Sequence, residues 1–186
     1  MRIVQGGSET GFTLVELVIV IGAVAMMAGL TVPKINTLVQ SQRTGNAARL
    51  VERELQTARL KAVGTSHALR VKFSCPVAGQ FRTLEVTGVA MTDTAATRCS
   101  PTAYPSPGPI DLLRSTPSLD SAVRYLPTGT TVSATSLDIE FSPTGQVFTY
   151  AAGVGTPLGA DLVLTVTRAG TSKTVTINAL GRVKLN

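Results

Sequence analysis

The 186-residue chain has no tryptophan, one histidine (His67) and two cysteines (Cys75 and Cys99), and only 4% of it is aromatic. Each scarcity closes a class of function. A structural zinc site takes four Cys or His ligands, and two cysteines helped by one histidine do not reach that number. Nucleophilic triads of the Ser–His or Cys–His kind have a single imidazole to draw on, and His67 falls in a Thr-Ser-His turn that places it at the surface. The chain therefore reads as a non-enzyme with no cofactor and no metal. Charged residues are also few, at 15% against 44% hydrophobic, which excludes a disordered tail or a collagen-like chain. Basic residues exceed acidic ones, for a net charge of +6, but form no run. That balance suits solubility and a membrane surface, or a polyanionic partner such as nucleic acid.

What is present is concentrated at the start. Between Gly11 and Pro33 the only charge is Glu16. Positions 12–33 form a helix of about 33 Å, matching a hydrocarbon core of roughly 30 Å. A secretory signal has a shorter apolar core that ends in a small-residue cleavage site. Here a short polar leader, Met1 to Gly11, stands in front of the apolar run, so a cut falls more naturally before it than after it. Both cysteines follow the segment. In an oxidising compartment they close one disulfide loop worth roughly 3 to 4 kcal/mol by chain entropy; the alternative is a pair of buried thiols.

Gly11-Phe12-Thr13-Leu14-Val15-Glu16 resembles the prepilin motif of type IV pilins and type II secretion pseudopilins. The resemblance implies cleavage between Gly11 and Phe12 by a membrane-embedded prepilin peptidase, N-methylation of Phe12, and a helix kink at Pro33. It also implies an assembly role for Glu16. A lone carboxylate in lipid costs several kcal/mol unless paired or protonated. The N-terminal amine of a neighbouring subunit can supply the partner, and an axially slipped subunit leaves Glu16 unpaired. The alternative is that Glu16 sits at the interface and snorkels into the headgroups. The leader is less basic than is usual, with Arg2 and the start amine against Glu9, yet fits a cytoplasmic leader and a head outside the inner membrane.

After Pro33, Ala48, Val51, Leu55, Ala58 and Ala62 recur at three and four residues, an apolar helical stripe that Gly64 ends. Gly45 joins Pro33 as a point of kinking or local melting. From Ser66 the period becomes two: Leu69–Phe73, Leu84–Val86, Leu137–Phe141, Val147–Tyr150, Leu162–Val166 and Val175–Ile177 read as antiparallel strands with one buried face. Five prolines between Cys99 and Pro117 mark an exposed loop. The expected organisation is a leader at 1–11, a transmembrane and filament-core helix at 12–33, its amphipathic continuation at 34–64, and a periplasmic β-rich head at 65–186.

Arg49-Leu50 and Glu54–Arg59 in the helix, Phe141-Ser142-Pro143-Thr144-Gly145, and the terminal Gly181-Arg182 are similar to the GspH/FimT pseudopilin family. That resemblance implies an α+β fold, a long N-terminal hydrophobic helix packed on a C-terminal antiparallel two-sheet β head, as the change of period also suggests.

Gly170-Thr171-Ser172-Lys173-Thr174 is superficially like a phosphate loop, but it lies between two strands and lacks the Gly-Lys pair, so it reads as a hairpin turn. Asp111, Asp120 and Asp161 are too scattered for a calcium cage. In Gly181-Arg182-Val183-Lys184, period-two geometry puts Arg182 and Lys184 on one side. There they can grip phosphates, the glycine allowing close approach, or simply form a solvated strand edge that deters aggregation. The stretch resembles the Gly-Arg-x-Arg motif tied to DNA capture in the FimT branch, with Lys184 in place of the last arginine. No aromatic residues interleave to stack bases, so DNA contacts there are expected to be non-specific and salt-dependent.

The expected function is that of a minor pilin or pseudopilin: a single-pass inner-membrane protein with a periplasmic head, assembling into the filament of a type II secretion system or a type IV pilus. Its expected partners are other pilins through the N-terminal helix, the prepilin peptidase, the inner-membrane assembly platform and membrane lipid. The alternative is a FimT-like minor pilin that binds double-stranded DNA in uptake for natural transformation.

Overall fold

Among the described residues a single helix and ten short strands follow one another, and the change of period in the sequence marks the boundary between them. The computed structural model describes residues 11–87, 98–104, 119–151 and 154–186, without the side chains of 30–34 and 151. Helix α1 spans Leu14–Thr65. The strands are β1 (Leu69–Phe73), β2 (Gln80–Glu85), β3 (Arg124–Tyr125), β4 (Thr130–Ser133), β5 (Asp138–Phe141), β6 (Val147–Ala151), β7 (Val154–Pro157), β8 (Leu162–Arg168), β9 (Thr171–Ile177) and β10 (Val183–Leu185). The chain divides into two units, Met1–Val39 and Gln40–Asn186.

In the second unit the strands make two antiparallel sheets, one of order β3-β2-β1-β5-β6-β7 and one of order β10-β9-β8-β4. Ala48, Val51, Leu55, Ala58 and Ala62 are all buried, because small and branched side chains at this spacing let the helix sit close against both sheets. Leu69, Val71, Ile139 and Phe141 of the first sheet and Leu164, Val166, Val175 and Ile177 of the second complete a single core. The helix passes through Gly64, the stop expected from the sequence, to Thr65. It ends where Ser66 turns to φ +57°, since Gly64 retains helical geometry and the left-handed step comes two residues later. The β8–β9 hairpin closes through Ala169 and Gly170, both at positive φ, as a two-residue turn between twisted strands requires. Gly170–Thr174 is thus a hairpin.

The expectation of one buried face fails for the central strands of the larger sheet. Arg70, Arg82, Leu84 and Glu140 lie on its outer face and are almost wholly buried. Charges tolerate this only when paired and hydrogen-bonded. Arg70 donates to Glu140 at 3.0 Å and stacks 3.6 Å over the Tyr150 ring. Arg82 donates to the carbonyls of Ser121, Arg98 and Tyr104 at 2.6–2.8 Å, and its burial pulls its pKa below the ordinary arginine value. Arg98 in turn grips Asp120 at 3.0 and 3.1 Å. Residues 98–104 and 119–121 therefore cover this face. The Cys75–Cys99 disulfide ties the first of these segments to the end of β1, with its Cα atoms 5.0 Å apart.

His67 is also more tied than a surface turn residue. Its Nδ1 lies 2.6 Å from the Thr65 carbonyl, and its Nε2 lies 3.7 Å from Glu85.

Candidate functional site

Two regions carry the predicted site residues. In the first, Thr13 stands before the helix and accepts a hydrogen bond from the Glu16 N–H at 3.3 Å. Thr13 and Glu16 thus have the Thr-x-x-Glu spacing of a helix N-cap, with the acid in the first turn where the helix dipole favours it. That local role was legible in the motif and was not drawn from it. Gly11 and Phe12 precede the helix, and Phe12 is 82% exposed. Every described side chain from 11 to 29 is exposed, including Leu14, Leu17, Ile19 and Met26. A helix that is apolar all round is normally buried in protein or lipid. Among the described residues no helix is long and apolar enough to cross a membrane, so the span expected over 12–33 rests on the sequence. Pro33, where a kink is expected, lies within α1, and its side chain is outside those described.

The second region is the C-terminal end of the smaller sheet. Asn178 opens a tight turn: its Oδ1 accepts the N–H groups of Leu180 at 3.1 Å and Arg182 at 2.8 Å, as an Asx turn does. Gly181 then takes φ +74° and leads into β10. Val183 is buried between exposed Arg182 and Lys184, and among the described residues neither cation is in an ion pair. They line an open depression of about 490 Å³ with Thr176, Asn178 and Asp161. Asp161 opposes them by contributing one negative charge to the rim. The sequence pattern missed Asn178, although Asn-Ala-Leu-Gly at 178–181 is a recognisable turn signal.

Gly181 has a different purpose from the expected close approach of a ligand. A Cβ there would lie 2.7 Å from Arg59 Nε and 2.8 Å from the Gly145 carbonyl oxygen, so the missing side chain makes room for protein. Arg59 comes from α1, donates to the Leu180 carbonyl at 3.0 Å, and also passes the Gly145 turn, where a Cβ would sit 3.7 Å from its Nη2. The three separated stretches, Glu54–Arg59, Phe141–Gly145 and Gly181-Arg182, thus meet around one guanidinium. Their shared purpose is to join helix, β5–β6 turn and C-terminal turn. Of the three dispersed acids, Asp120 is held by Arg98 and the Glu85 N–H, with burial raising its pKa; Asp161 is exposed; and Asp111 lies outside the described residues.

No protein-family model matches the chain, and no curated protein matches it in sequence. Solved structures do match in outline. The type IV minor pilin FimU of Pseudomonas aeruginosa is 15% identical in one crystal form, at TM-score 0.47, over 76% of this chain and 91% of that one. In a second crystal form it is 14% identical at TM-score 0.49, over 78% and 89%. The minor pseudopilin EpsH from the Type 2 Secretion System of Vibrio cholerae is 12% identical at TM-score 0.46, over 77% of this chain and 96% of that one.

Proposed function

We propose that the chain is a minor pilin-like subunit, processed between Gly11 and Phe12, held in the inner membrane by its apolar helix, and then assembled through that helix into a periplasm-spanning filament. One observation carries the reading. Residues 40–186 bury a complete core of their own, whereas the segment from 11 to 29 presents apolar side chains on all sides. Such a surface needs lipid before assembly and protein after it. Glu16 suits a helix that leaves lipid: its carboxylate is costly in hydrocarbon, and the methylated Phe12 amine of a neighbour offsets that cost in one axial register. The partners that follow are other pilins or pseudopilins, the prepilin peptidase and the assembly platform. Mass spectrometry of membrane-extracted protein should find an N-terminus at methylated Phe12; an intact leader defeats the proposal.

A second reading, capture of double-stranded DNA in the manner of FimT, is favoured by one specific feature: the exposed Arg182 and Lys184 flanking buried Val183 on a single rim. A gel shift with random duplex DNA at low salt tests it, and no shift counts against it.

A further inference from the structure

Most of the acids described in the 40–186 unit are buried or paired, which leaves its exposed charge mainly positive. From Gln40 onward there are 15 Lys/Arg and 9 Asp/Glu. Seven of those acids are among the described residues. Glu54, Glu85, Asp120 and Glu140 are buried, and Asp138 is paired with Lys72 at 2.5 Å. Only Glu52 and Asp161 remain, and a Glu52 oxygen already accepts the Gln56 amide at 3.3 Å. Arg70, Lys72, Arg82, Arg98 and Arg124 are likewise buried or paired, but other cations are not. Arg49 and Arg53 are exposed on α1, and none of the ion pairs among the described residues includes them.

Positions 49, 53, 56 and 60 are spaced by four, three and four residues, so they share one ridge of the helix. Gln56 and Leu60 on that ridge form a groove of about 240 Å³ with Arg182 and Val183. The ridge therefore runs directly into the C-terminal turn. Arg49 to Gln56 extends about 10 Å at 1.5 Å per residue. A duplex presents about one charge per 1.7 Å of its axis, so a ridge of that length faces several phosphates.

We infer that Arg49 and Arg53 form, with Arg182 and Lys184, one continuous track for the phosphate backbone of double-stranded DNA. The inference rests on the DNA reading above and extends its site from the C-terminal turn to the helix. Charge complementarity sets the occupant: four cations that form no ion pair among the described residues line a straight ridge and the turn beside it, with Asp161 on the rim. No aromatic side chain among the described residues lines the track, so it reads backbone and not bases.

The test is fluorescence anisotropy of the full chain in non-ionic detergent with a random duplex, titrated across salt. Four phosphate contacts give a slope of log affinity against log salt of about −3.6, an affinity loss of about 150-fold between roughly 50 and 200 mM. Arg49→Ala/Arg53→Ala should retain its circular dichroism spectrum and lower the slope to about −1.8, a loss of about 12-fold over the same range. Arg182→Ala/Lys184→Ala should do the same. Lys173→Ala, an exposed cation off the track, should leave the slope unchanged. No binding by the wild type overturns the DNA reading and this inference together. Binding that depends on Arg182 and Lys184 but keeps its full slope without Arg49 and Arg53 overturns the inference alone. An equal loss in Lys173→Ala overturns it too, by assigning the effect to net charge. If Arg49 and Arg53 govern binding to phosphatidylserine vesicles but not to duplex, the occupant is a membrane and the inference fails.

Discussion

Gly181→Ala should destabilise the protein by about 3 kcal/mol, for reasons that lie wholly outside any ligand. The residue has φ +74°, where an L side chain costs roughly 1–2 kcal/mol. The new Cβ would then meet Arg59 Nε at 2.7 Å, the Gly145 oxygen at 2.8 Å and Arg59 Cδ at 3.0 Å. Overpacking of that kind costs roughly 1–3 kcal/mol. The Arg59 side chain can move only by giving up its 3.0 Å bond to the Leu180 carbonyl, and the Gly145 oxygen belongs to the backbone. At about 2–4 °C per kcal/mol for a chain of this size, the melting temperature should fall by about 6–12 °C. Thermal unfolding of the full chain in detergent, followed by circular dichroism, reads this directly. In an Arg59→Ala background two of the three close contacts vanish, so the same substitution should cost about 1 kcal/mol less. A Gly181→Ala protein that melts within about 2 °C of wild type refutes the reasoning, as does a loss that ignores Arg59.

Opening the Cys75–Cys99 bridge, which spans 24 residues of sequence, should cost about 3.5 kcal/mol by loop entropy; denaturation midpoints that do not move with reductant sink this. Glu140→Leu leaves Arg70 buried without its partner and should cost about 3–5 kcal/mol, most of which Arg70→Met in the same chain restores. Equal stability of the single and double variants speaks against a buried pair. Burial first, and the Glu140 carboxylate second, push the Tyr150 phenol up to about 12. The folded state then holds that proton more tightly than the unfolded chain does, so stability declines as pH rises from about 10 toward 12. Absorbance titration at 295 nm should show a late ionisation that Tyr150→Phe removes, and a folded protein lacking that step contradicts the assignment.

Much of the fold was legible because periodicity reports burial. The stripe from Ala48 to Ala62 and the alternation in Leu69–Phe73 come from chain positions that see the core at regular intervals, and both elements stand where they were read. The two-residue strand β3 and the strands β4 and β7 were not read. Arg124-Tyr125 is too short to show a period. Thr130–Ser133 and Val154–Pro157 are polar or glycine- and proline-bearing edge segments, held by pairing with β8 and β6 more than by an apolar face. The outer face of the larger sheet was misjudged for the converse reason: Arg70, Arg82 and Glu140 look like solvent-facing residues until another segment covers them.

For the candidate sites the division is similar. Sequence alone specifies the apolar segment, its single acid and the glycine before it, because bilayer thickness and the cost of a charge in hydrocarbon act on consecutive residues. It also places Arg182 and Lys184 on one side, since alternation in an extended chain is local. Only the tertiary structure decides that Gly181 makes room for Arg59, that the described acids of the 40–186 unit are mostly buried or paired, and that Arg49 and Arg53 lie on the ridge that meets the C-terminal turn. Those outcomes depend on contacts between residues 22 to 121 positions apart, and the spacing along a chain carries no record of such contacts.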